Sequence, residues 1–236
     1  MAICKNCGKP LILSKGRCVY CGSNPEKQSF PKDIQRINKN VTTIQAVDLG
    51  LPSGTKWAPC NLGATNPWEY GGYYAWGEIE EKSIYNQKTY RWTWANRKYC
   101  NDVFCENIDR KLELELEDDA AYVNWGESWR MPTLKDYNEL IYNCSNEWAM
   151  MNNTKGLRLI SKINGKSLFF PAAGLRMDNG LTNKHCGYYK TSSLYEKNSE
   201  DAYVFLFVTE MNSQQGEIMI NPNLRVLGQS VRPVSL

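Results

Sequence analysis

The fold class is decided by Thr133-Leu-Lys-Asp-Tyr-Asn-Glu-Leu-Ile-Tyr-Asn-Cys144 and by the later run Leu157-Arg-Leu-Ile-Ser-Lys-Ile-Asn-Gly-Lys-Ser-Leu-Phe-Phe170. In the first stretch Thr133 suits a helix N-cap, Asp136 stands three positions later, and apolar residues recur at helical spacing. In the second, Asn164-Gly165 separates two strand-like runs, which predicts a hairpin because both residues tolerate positive φ. A helix together with an antiparallel hairpin predicts an α+β domain.

Further strands are predicted towards the C-terminus. The run from Ala202 to Thr209 continues through Gln214-Gln215-Gly216 into Glu217-Ile-Met-Ile220, which indicates a second hairpin. The final segment, from Leu224 to Val234, is typical of a closing strand. Because Cys144 shares the apolar face of the predicted helix, we interpret it as a core thiol and not as a nucleophile.

Four cysteines near the N-terminus form two CxxC pairs, Cys4-Lys-Asn-Cys7 and Cys18-Val-Tyr-Cys21, with ten residues between them. Each pair places two thiolates on one tight turn, and a glycine follows where the backbone needs unusual dihedral angles. The alternatives are two disulfides or a redox pair, and the latter needs a surrounding βαβ unit. We predict a zinc ribbon over residues 1–24, with a structural zinc because no coordination position is left for water.

The remainder of the chain is predicted to be a linker and a second domain. Residues 25–44 are polar and interrupted by proline, as linkers are, and residues 45–236 form the domain. Hydrophobic residues make up 42% of the chain and charged residues 22%, which is ordinary for a protein that buries a core. The aromatic residues are mainly Tyr and Trp, whose polar groups suit binding surfaces.

The charge is spread unevenly along the chain. Residues 1–43 contain 8 Lys or Arg and 2 Asp or Glu, a net charge of +6, whereas the rest contains 20 and 23, a net charge of −3. A basic N-terminal module can contact nucleic acid or an acidic partner. The same lysines also serve to keep a small module in solution.

We expect a cytoplasmic location, with unconventional export as the alternative. The N-terminus shows neither a long apolar core nor a small-residue cleavage site, and no run approaches the roughly 18 apolar residues of a membrane span. In a reducing compartment the nine cysteines favour metal binding or free thiols over disulfides.

Ordered motifs in residues 45–236 resemble a known family. They are Val47-Asp-Leu-Gly-Leu-Pro-Ser-Gly-Thr-Lys-Trp57-Ala, Cys60-Asn-Leu-Gly-Ala64, Tyr70-Gly-Gly-Tyr-Tyr-Ala-Trp76-Gly-Glu78, Glu117-Asp-Asp-Ala-Ala121 with Trp125-Gly126, Trp129-Arg-Met-Pro-Thr133, Phe170-Pro-Ala-Ala-Gly174, Tyr188-Tyr189 before Thr191-Ser-Ser193, and Gly228-Gln-Ser-Val-Arg-Pro-Val234. This series is similar to the Fibrobacter succinogenes major paralogous domain, which is common in gut Bacteroidetes.

The resemblance implies a C-type lectin-like fold with antiparallel sheet and long loops. The same fold occurs in formylglycine-generating enzymes and in the variable proteins of diversity-generating retroelements, where the surface near the C-terminal strands typically meets a ligand. The four tryptophans inside the motifs are expected in the core. Family members tend to carry Trp where this chain has Lys190, which indicates an altered ligand surface, and they are usually exported lipoproteins, whereas this chain begins with a predicted ribbon.

Catalysis is not expected. The single histidine, His185, and its neighbour Cys186 point to opposite sides of an extended segment, so they are poorly placed to act as base and nucleophile. The copper site of the formylglycine-generating branch needs two thiolates near the C-terminus, and only Cys186 lies beyond Cys144. The acidic residues Glu115, Glu117, Asp118 and Asp119 suit a helix N-terminus or a solvated loop, with calcium binding or a shared raised pKa as the alternative. The family-like Asp-Asp-Ala-Ala motif can anchor the loop by accepting backbone hydrogen bonds.

We therefore predict a non-enzymatic recognition protein that binds a protein or glycan through its C-terminal loops and docks through its zinc ribbon. Loops rich in Asn, Tyr and Ser supply adaptable hydrogen bonds and rigid contact area, as paratopes do. The alternative is a nucleic-acid-associated regulatory protein that uses the basic ribbon. The candidate ligand-binding residues are Asn183, Tyr188, Tyr189, Lys190, Tyr195, Asn198, Asn212, Asn221 and Asn223.

Overall fold

The computed structural model describes residues 44–93, 98–100, 110–208 and 217–235, together with the backbone of residues 13–14 and 17–18. The chain divides into two compact units, Met1–Thr43 and Ile44–Leu236. In the first unit, strands β1 (Leu13–Ser14) and β2 (Arg17–Cys18) pair antiparallel. The predicted zinc ligands Cys4, Cys7 and Cys21, and the side chain of Cys18, lie outside the described residues.

The larger unit is mostly antiparallel β-structure with two α-helices among its described residues, which confirms the β-rich α+β class. The helices are α1 (Ala120–Trp125) and α2 (Leu134–Asn143), and a 3-10 turn spans Leu116–Asp118. The strands are β3 (Lys56–Trp57), β4 (Cys144–Met151), β5 (Thr154–Ser161), β6 (Ser167–Pro171), β7 (Leu175–Met177), β8 (Gly180–Thr182), β9 (Cys186–Leu194), β10 (Asp201–Val208), β11 (Glu217–Leu224) and β12 (Val234–Ser235). No helix of this described set is long and apolar enough to cross a membrane.

Helix α2 begins where the sequence predicts. The Thr133 hydroxyl accepts the Asp136 N–H, and the Asp136 carboxylate accepts the Thr133 N–H at 2.7 Å, so the two residues form a capping box. Tyr137 and Leu140 are fully buried on the inner face. Cys144 is buried as predicted, but it ends the helix and begins β4, a strand that the sequence analysis does not anticipate.

Strands β4, β5 and β6 form one antiparallel sheet in that order. The pairing of β5 with β6 confirms the predicted hairpin, although its turn differs from the expected two-residue type. The Ser161 N–H donates to the Lys166 carbonyl and the Gly165 N–H to the Ser161 carbonyl, so the loop is longer. Only Gly165 adopts positive φ there, at 74°, because a longer loop needs just one left-handed residue.

Strands β9, β10 and β11 form a second antiparallel sheet, with β10 in the centre. The pairing of β10 with β11 confirms the second predicted hairpin, whose connecting residues 209–216 lie outside the description. Between the pairs Lys190–Val204 and Leu194–Ala202 the register shifts, so three residues of β9 oppose one of β10. This bulge reorients the end of β9.

The main core lies between α2 and the inner faces of the two sheets. Phe205 of β10 stacks on Tyr137 with ring centroids 4.7 Å apart, and it meets Phe170 of β6 at 5.6 Å. Trp57 contacts Tyr137 at 5.0 Å. Burying each such ring stabilises the fold by about 1.5–3 kcal/mol, so this aromatic cluster joins elements that are far apart in sequence.

The closing strand predicted over residues 224–234 forms only in part. β12 pairs with β3, and Leu224 belongs to β11. Between them the chain makes isolated bridges, parallel from Ser230 to Tyr189 and antiparallel from Gln229 to Tyr74. This stretch therefore lies between β9 and the loop that contains Tyr74.

Candidate functional site

The outer face of the β9–β10–β11 sheet gathers several predicted ligand-binding residues. Alternate residues of a strand point to one side, and directly opposed residues of antiparallel strands share that side. The register opposes Lys190, Val204 and Asn221 in one row and Tyr188, Leu206 and Met219 in the next. Asn223 follows Asn221 on the same side. We call this surface the Asn221 face, and its members are Tyr188, Lys190, Val204, Leu206, Met219, Asn221 and Asn223.

Exposure changes across the Asn221 face. At β11 the side chain of Asn221 is exposed, and Met219 and Asn223 are half-buried. Val204 in the central strand and Lys190 in β9 are buried. On the opposite side of β11, Ile218 and Ile220 pack against the main core, so the open β11 end of the Asn221 face stands on a fixed support.

Tyr188 is held in place at the rim of the Asn221 face. Asn183 has a left-handed backbone conformation with φ of 51°, and its Nδ2 donates to the Tyr188 hydroxyl oxygen at 3.0 Å. Burial raises the pKa of Tyr188, so the phenol stays neutral at physiological pH. The pair thus presents an exposed amide beside a fixed phenol.

Tyr195 and Asn198 form a separate surface at the turn between β9 and β10. The Tyr195 ring meets Tyr203 edge-on at 5.4 Å, and Asn198 Nδ2 donates to the Asp201 carboxylate at 2.8 Å. Tyr203 points away from the Asn221 face, because it alternates with Val204 along β10. The predicted ligand-binding residues therefore do not form one continuous site.

Two predicted contacts, Tyr189 and Lys190, lie in the interior with no exposed surface. Tyr189 points into the main core, and its hydroxyl donates to the Pro171 carbonyl at 2.7 Å. Neither side chain is available to a ligand in this conformation, which corrects the expectation of surface contacts. The reason is that β9 is covered on both sides. Asn212 lies outside the described residues.

The Thr191-Ser-Ser193 motif has a structural role that the sequence analysis misses. The hydroxyls of Ser192 and Ser193 donate to the two carboxylate oxygens of Glu113 at 2.6 and 2.5 Å. The Ser193 hydroxyl also accepts the N–H of Leu134, the first residue of α2. The motif therefore joins the β9 bulge to the helix, and a clustered run of hydroxyl residues within a strand is its only sequence signal.

Arg232 is fully buried and well supplied with acceptors. Its guanidinium lies 4.4 Å from the centroid of the Phe170 ring. Burial lowers its pKa, although nearby groups oppose this. The acceptors of its N–H groups are Asn61 Oδ1 at 2.9 Å, the Phe169 carbonyl at 2.8 Å and the Ala58 and Pro59 carbonyls at 3.2 Å. Arg232 thus ties the C-terminal segment to the loop at residues 58–61 and to strand β6.

Lys190 differs from Arg232 in the hydrogen-bond partners of its charged group. It is also fully buried, yet its Nζ has no hydrogen-bond partner. Burial, and secondarily the positive charge of Arg225, lowers the pKa of Lys190 to about 7. A large part of the Lys190 population is therefore neutral near physiological pH.

The acidic residues before α1 form ion pairs with the ammonium group of Lys98. Oxygens of Glu115, Glu117 and Asp118 lie within 4.8 Å of one another, the sole such group in the described ranges. Lys98 Nζ sits among them, at 2.5, 2.9 and 2.6 Å. Asp119 accepts the N–H groups of residues 121 and 122 as the α1 N-cap, so its predicted role as a loop anchor is confirmed.

The cysteines whose side chains are described differ in whether they form a disulfide. The side chains of Cys60, Cys144 and Cys186 are buried and form no disulfide, whereas Cys100 is disulfide-bonded. The disulfide departs from the expected metal ligands and free thiols, and such bonds are typical of oxidising compartments. Next to the buried Cys186, His185 is exposed.

Comparison of the chain with protein-family models, with curated proteins and with solved structures gives no match.

Proposed function

We propose that this chain is a non-enzymatic recognition protein whose larger unit binds a protein or glycan through the Asn221 face. The observation that carries the proposal is the open end of this face, where Asn221 and Asn223 stand beside Met219 and Leu206 on a supported strand. The proposal includes a C-type lectin-like fold and the family resemblance drawn from the motifs. The binding surface is the sheet face near the C-terminal strands.

The chemistry of the face suits contact. Amide groups of asparagine offer both donors and acceptors, and Asn221 Nδ2 has only the weak Sδ acceptor of Met219, at 3.7 Å, among its described partners. Tyr188 adds an aromatic ring with a fixed hydroxyl. Side chains of this kind contribute directional hydrogen bonds and apolar area together, as binding surfaces require.

The same groups support binding over catalysis. Amide side chains do not exchange protons readily at physiological pH, so the exposed Asn221 and its neighbour Asn223 supply no general acid or base. His185 is exposed in the turn before β9, and Cys186, the first residue of that strand, is buried. Recognition requires none of these groups to react.

The test combines three substitutions on the face, Tyr188→Phe, Asn221→Ala and Asn223→Ala. Wild type and variant are applied to an array of immobilised glycans and to a display library of random peptides. We expect ligands in one of the two sets whose binding falls at least tenfold in the variant. Binding to neither set, or equal binding by the variant, contradicts the proposal.

Two control variants make that result specific. Tyr142→Phe alters a side chain that is 81% exposed on α2 and should leave binding unchanged. Tyr195→Phe with Asn198→Ala alters the separate turn surface. If the turn variant loses binding and the face variant retains it, the Asn221 face is the wrong surface.

We further propose that Cys4, Cys7, Cys18 and Cys21 hold one structural zinc, and that the ribbon serves for docking. Elemental analysis of the purified protein should find one zinc per chain.

We infer that the larger unit meets an oxidising environment, which favours the export alternative over a cytoplasmic location. The disulfide at Cys100 supports this, since cytosolic thiols are kept reduced. Alkylation of the unfolded protein isolated from its native cells, followed by mass spectrometry, should leave Cys100 unmodified until a reductant is added. Alkylation of Cys100 without reductant contradicts the inference.

A further inference from the structure

Residues 73–92 form a covering segment that lies on the side of β9 to which Lys190 points. The Trp76 N–H donates to the Arg225 carbonyl at 2.8 Å, and Trp76 Nε1 donates to the Thr191 carbonyl at 3.0 Å. The backbone of Tyr74, in the same segment, also pairs with Gln229. These bonds hold the covering segment beside β9, and Glu78 and Lys82 of this segment are among the charges that act on the buried Lys190.

The charged groups around Lys190 do not neutralise an ammonium. Arg225 is the strongest of them and is itself a cation. Glu78 opposes it, but this carboxylate is already paired with Lys82 at 2.5 Å. Asp201 contributes least of the four. A proton on Lys190 therefore adds a charge to a site that already holds cations.

None of the described hydrogen-bonding groups near Lys190 accepts from its Nζ in this structure. The Arg225 guanidinium only donates, to the carbonyls of Tyr99 and Trp92. Gln229 points to the same side as Lys190, because Tyr189 and Ser230 pair in parallel and their neighbours alternate with them. The amide oxygen and nitrogen of Gln229 are buried without a partner, as is Lys190 Nζ. Burying a charged donor without an acceptor is strongly unfavourable.

We propose that Lys190 is a proton-sensitive latch, which holds the covering segment on the sheet while its amine is neutral and favours release of that segment when the amine is protonated. Release hydrates the ammonium and separates it from Arg225, so the proton is bound more tightly in the released state. The latch lies in the row that ends at Asn221, and it is therefore placed to couple pH to the neighbouring surface.

The direction and range of the effect follow from the pKa. In the released state Lys190 has the ordinary lysine pKa of 10.5, and in the closed state about 7. Between these values only the released state is protonated, so its population rises about tenfold for each unit by which pH falls. Above pH 10.5 neither state holds the proton, and below pH 7 both do, so the dependence disappears.

Hydrogen exchange at pH 6, 7, 8 and 9 tests the latch, with rates divided by the intrinsic exchange rate at each pH. In wild type the opening constant of residues 73–92 should rise about tenfold per unit from pH 9 to pH 7 and then level off. In Lys190→Met, whose side chain has no proton to bind, the opening constant should not change with pH. Lys155→Met, an exposed lysine on β5, should behave as wild type.

A second measurement on the unmodified chain covers the case in which Lys190→Met does not fold. One Cε resonance of protein labelled with ¹³C-lysine should titrate near pH 7. Absence of such a resonance, a flat opening constant in wild type, or a persistent slope in Lys190→Met overturns the latch. None of these measurements involves a ligand, so the latch and the proposed recognition function can fail independently.

Discussion

Two buried cations, Arg232 and Lys190, stand in contrasting surroundings. The guanidinium of Arg232 is met by four oxygen acceptors and lies over the Phe170 ring. The Nζ of Lys190 has no acceptor and lies near the cation Arg225. Burial is equal in the two cases, so the difference lies in the partners. A buried cation is a structural tie where acceptors converge on it, and a strained, titratable group where they do not.

The largest expected effect is loss of the Arg232 tie. Arg232→Met removes the donors for four carbonyl or amide oxygens, three of them main-chain, and leaves these buried acceptors without partners. We expect the free energy of unfolding to fall by several kcal/mol, because each buried acceptor left without a partner costs about 1–3 kcal/mol and relief from burying the guanidinium offsets only part of that. Urea unfolding followed by tryptophan fluorescence measures this.

The variant Arg232→Lys tests whether the positive charge alone is enough to stabilise the fold. A lysine keeps the charge but lacks the planar fork that serves acceptors on several sides, so it should remain strongly destabilised. Stability within about 1 kcal/mol of wild type for either variant would mean that the convergence of acceptors on Arg232 contributes little.

Replacing Lys190 should have the opposite sign. At pH 7 or below, Lys190→Met relieves the folded state of a buried unpaired charge, and the free energy of unfolding should rise by about 1–4 kcal/mol. Because the folded pKa lies below the unfolded one, the deficit of wild type is full below about pH 7 and disappears as pH rises towards 10.5. Denaturant unfolding of both proteins at pH 6 and pH 10 gives the comparison. A less stable variant at pH 6 would contradict the account.

A smaller effect is expected at Asp119, an anionic counterpart of Arg232. This buried carboxylate accepts the N–H groups of Ala121, Tyr122 and Met131 at 2.8–3.0 Å. Burial raises its pKa while these bonds oppose the change. Asp119→Ala should lower the free energy of unfolding by about 1–2 kcal/mol through loss of the helix cap. Asp119→Asn keeps one acceptor oxygen and should retain part of that stability.

Local features of the fold could be predicted from sequence because their causes are local. Thr133 and Asp136 cap α2 by bonds to each other's backbone, and both stand in one short motif. The pairing of β10 with β11 could be predicted because the apolar runs at 202–208 and 218–220 are joined through Gln214-Gln215-Gly216, a typical turn sequence. By contrast, β4 directly follows α2 and is stabilised by pairing with β5, which its own residues do not reveal.

The candidate site could be predicted only in outline. Of the adjacent tyrosines, Tyr189 faces the core and Tyr188 the Asn221 face, a choice set by the register of β9 against β10. The burial of Lys190 depends on residues 73–92, about a hundred positions earlier in the chain. Local pattern therefore identifies the segment, whereas tertiary pairing decides which of its side chains meet solvent.

The central claim is that the Asn221 face is a contact surface, and that it is separable from the buried ties that hold the fold. The most direct measurement is the binding of the Tyr188→Phe, Asn221→Ala, Asn223→Ala variant to the best glycan or peptide found with wild type, together with its urea unfolding midpoint. The account predicts at least a tenfold loss of affinity. Stability should change by no more than about 0.5 kcal/mol at the exposed Asn221 and by about 0.5–1.5 kcal/mol for the Tyr188 hydroxyl, which loses its hydrogen bond. Unchanged affinity in a variant of equal stability would contradict it.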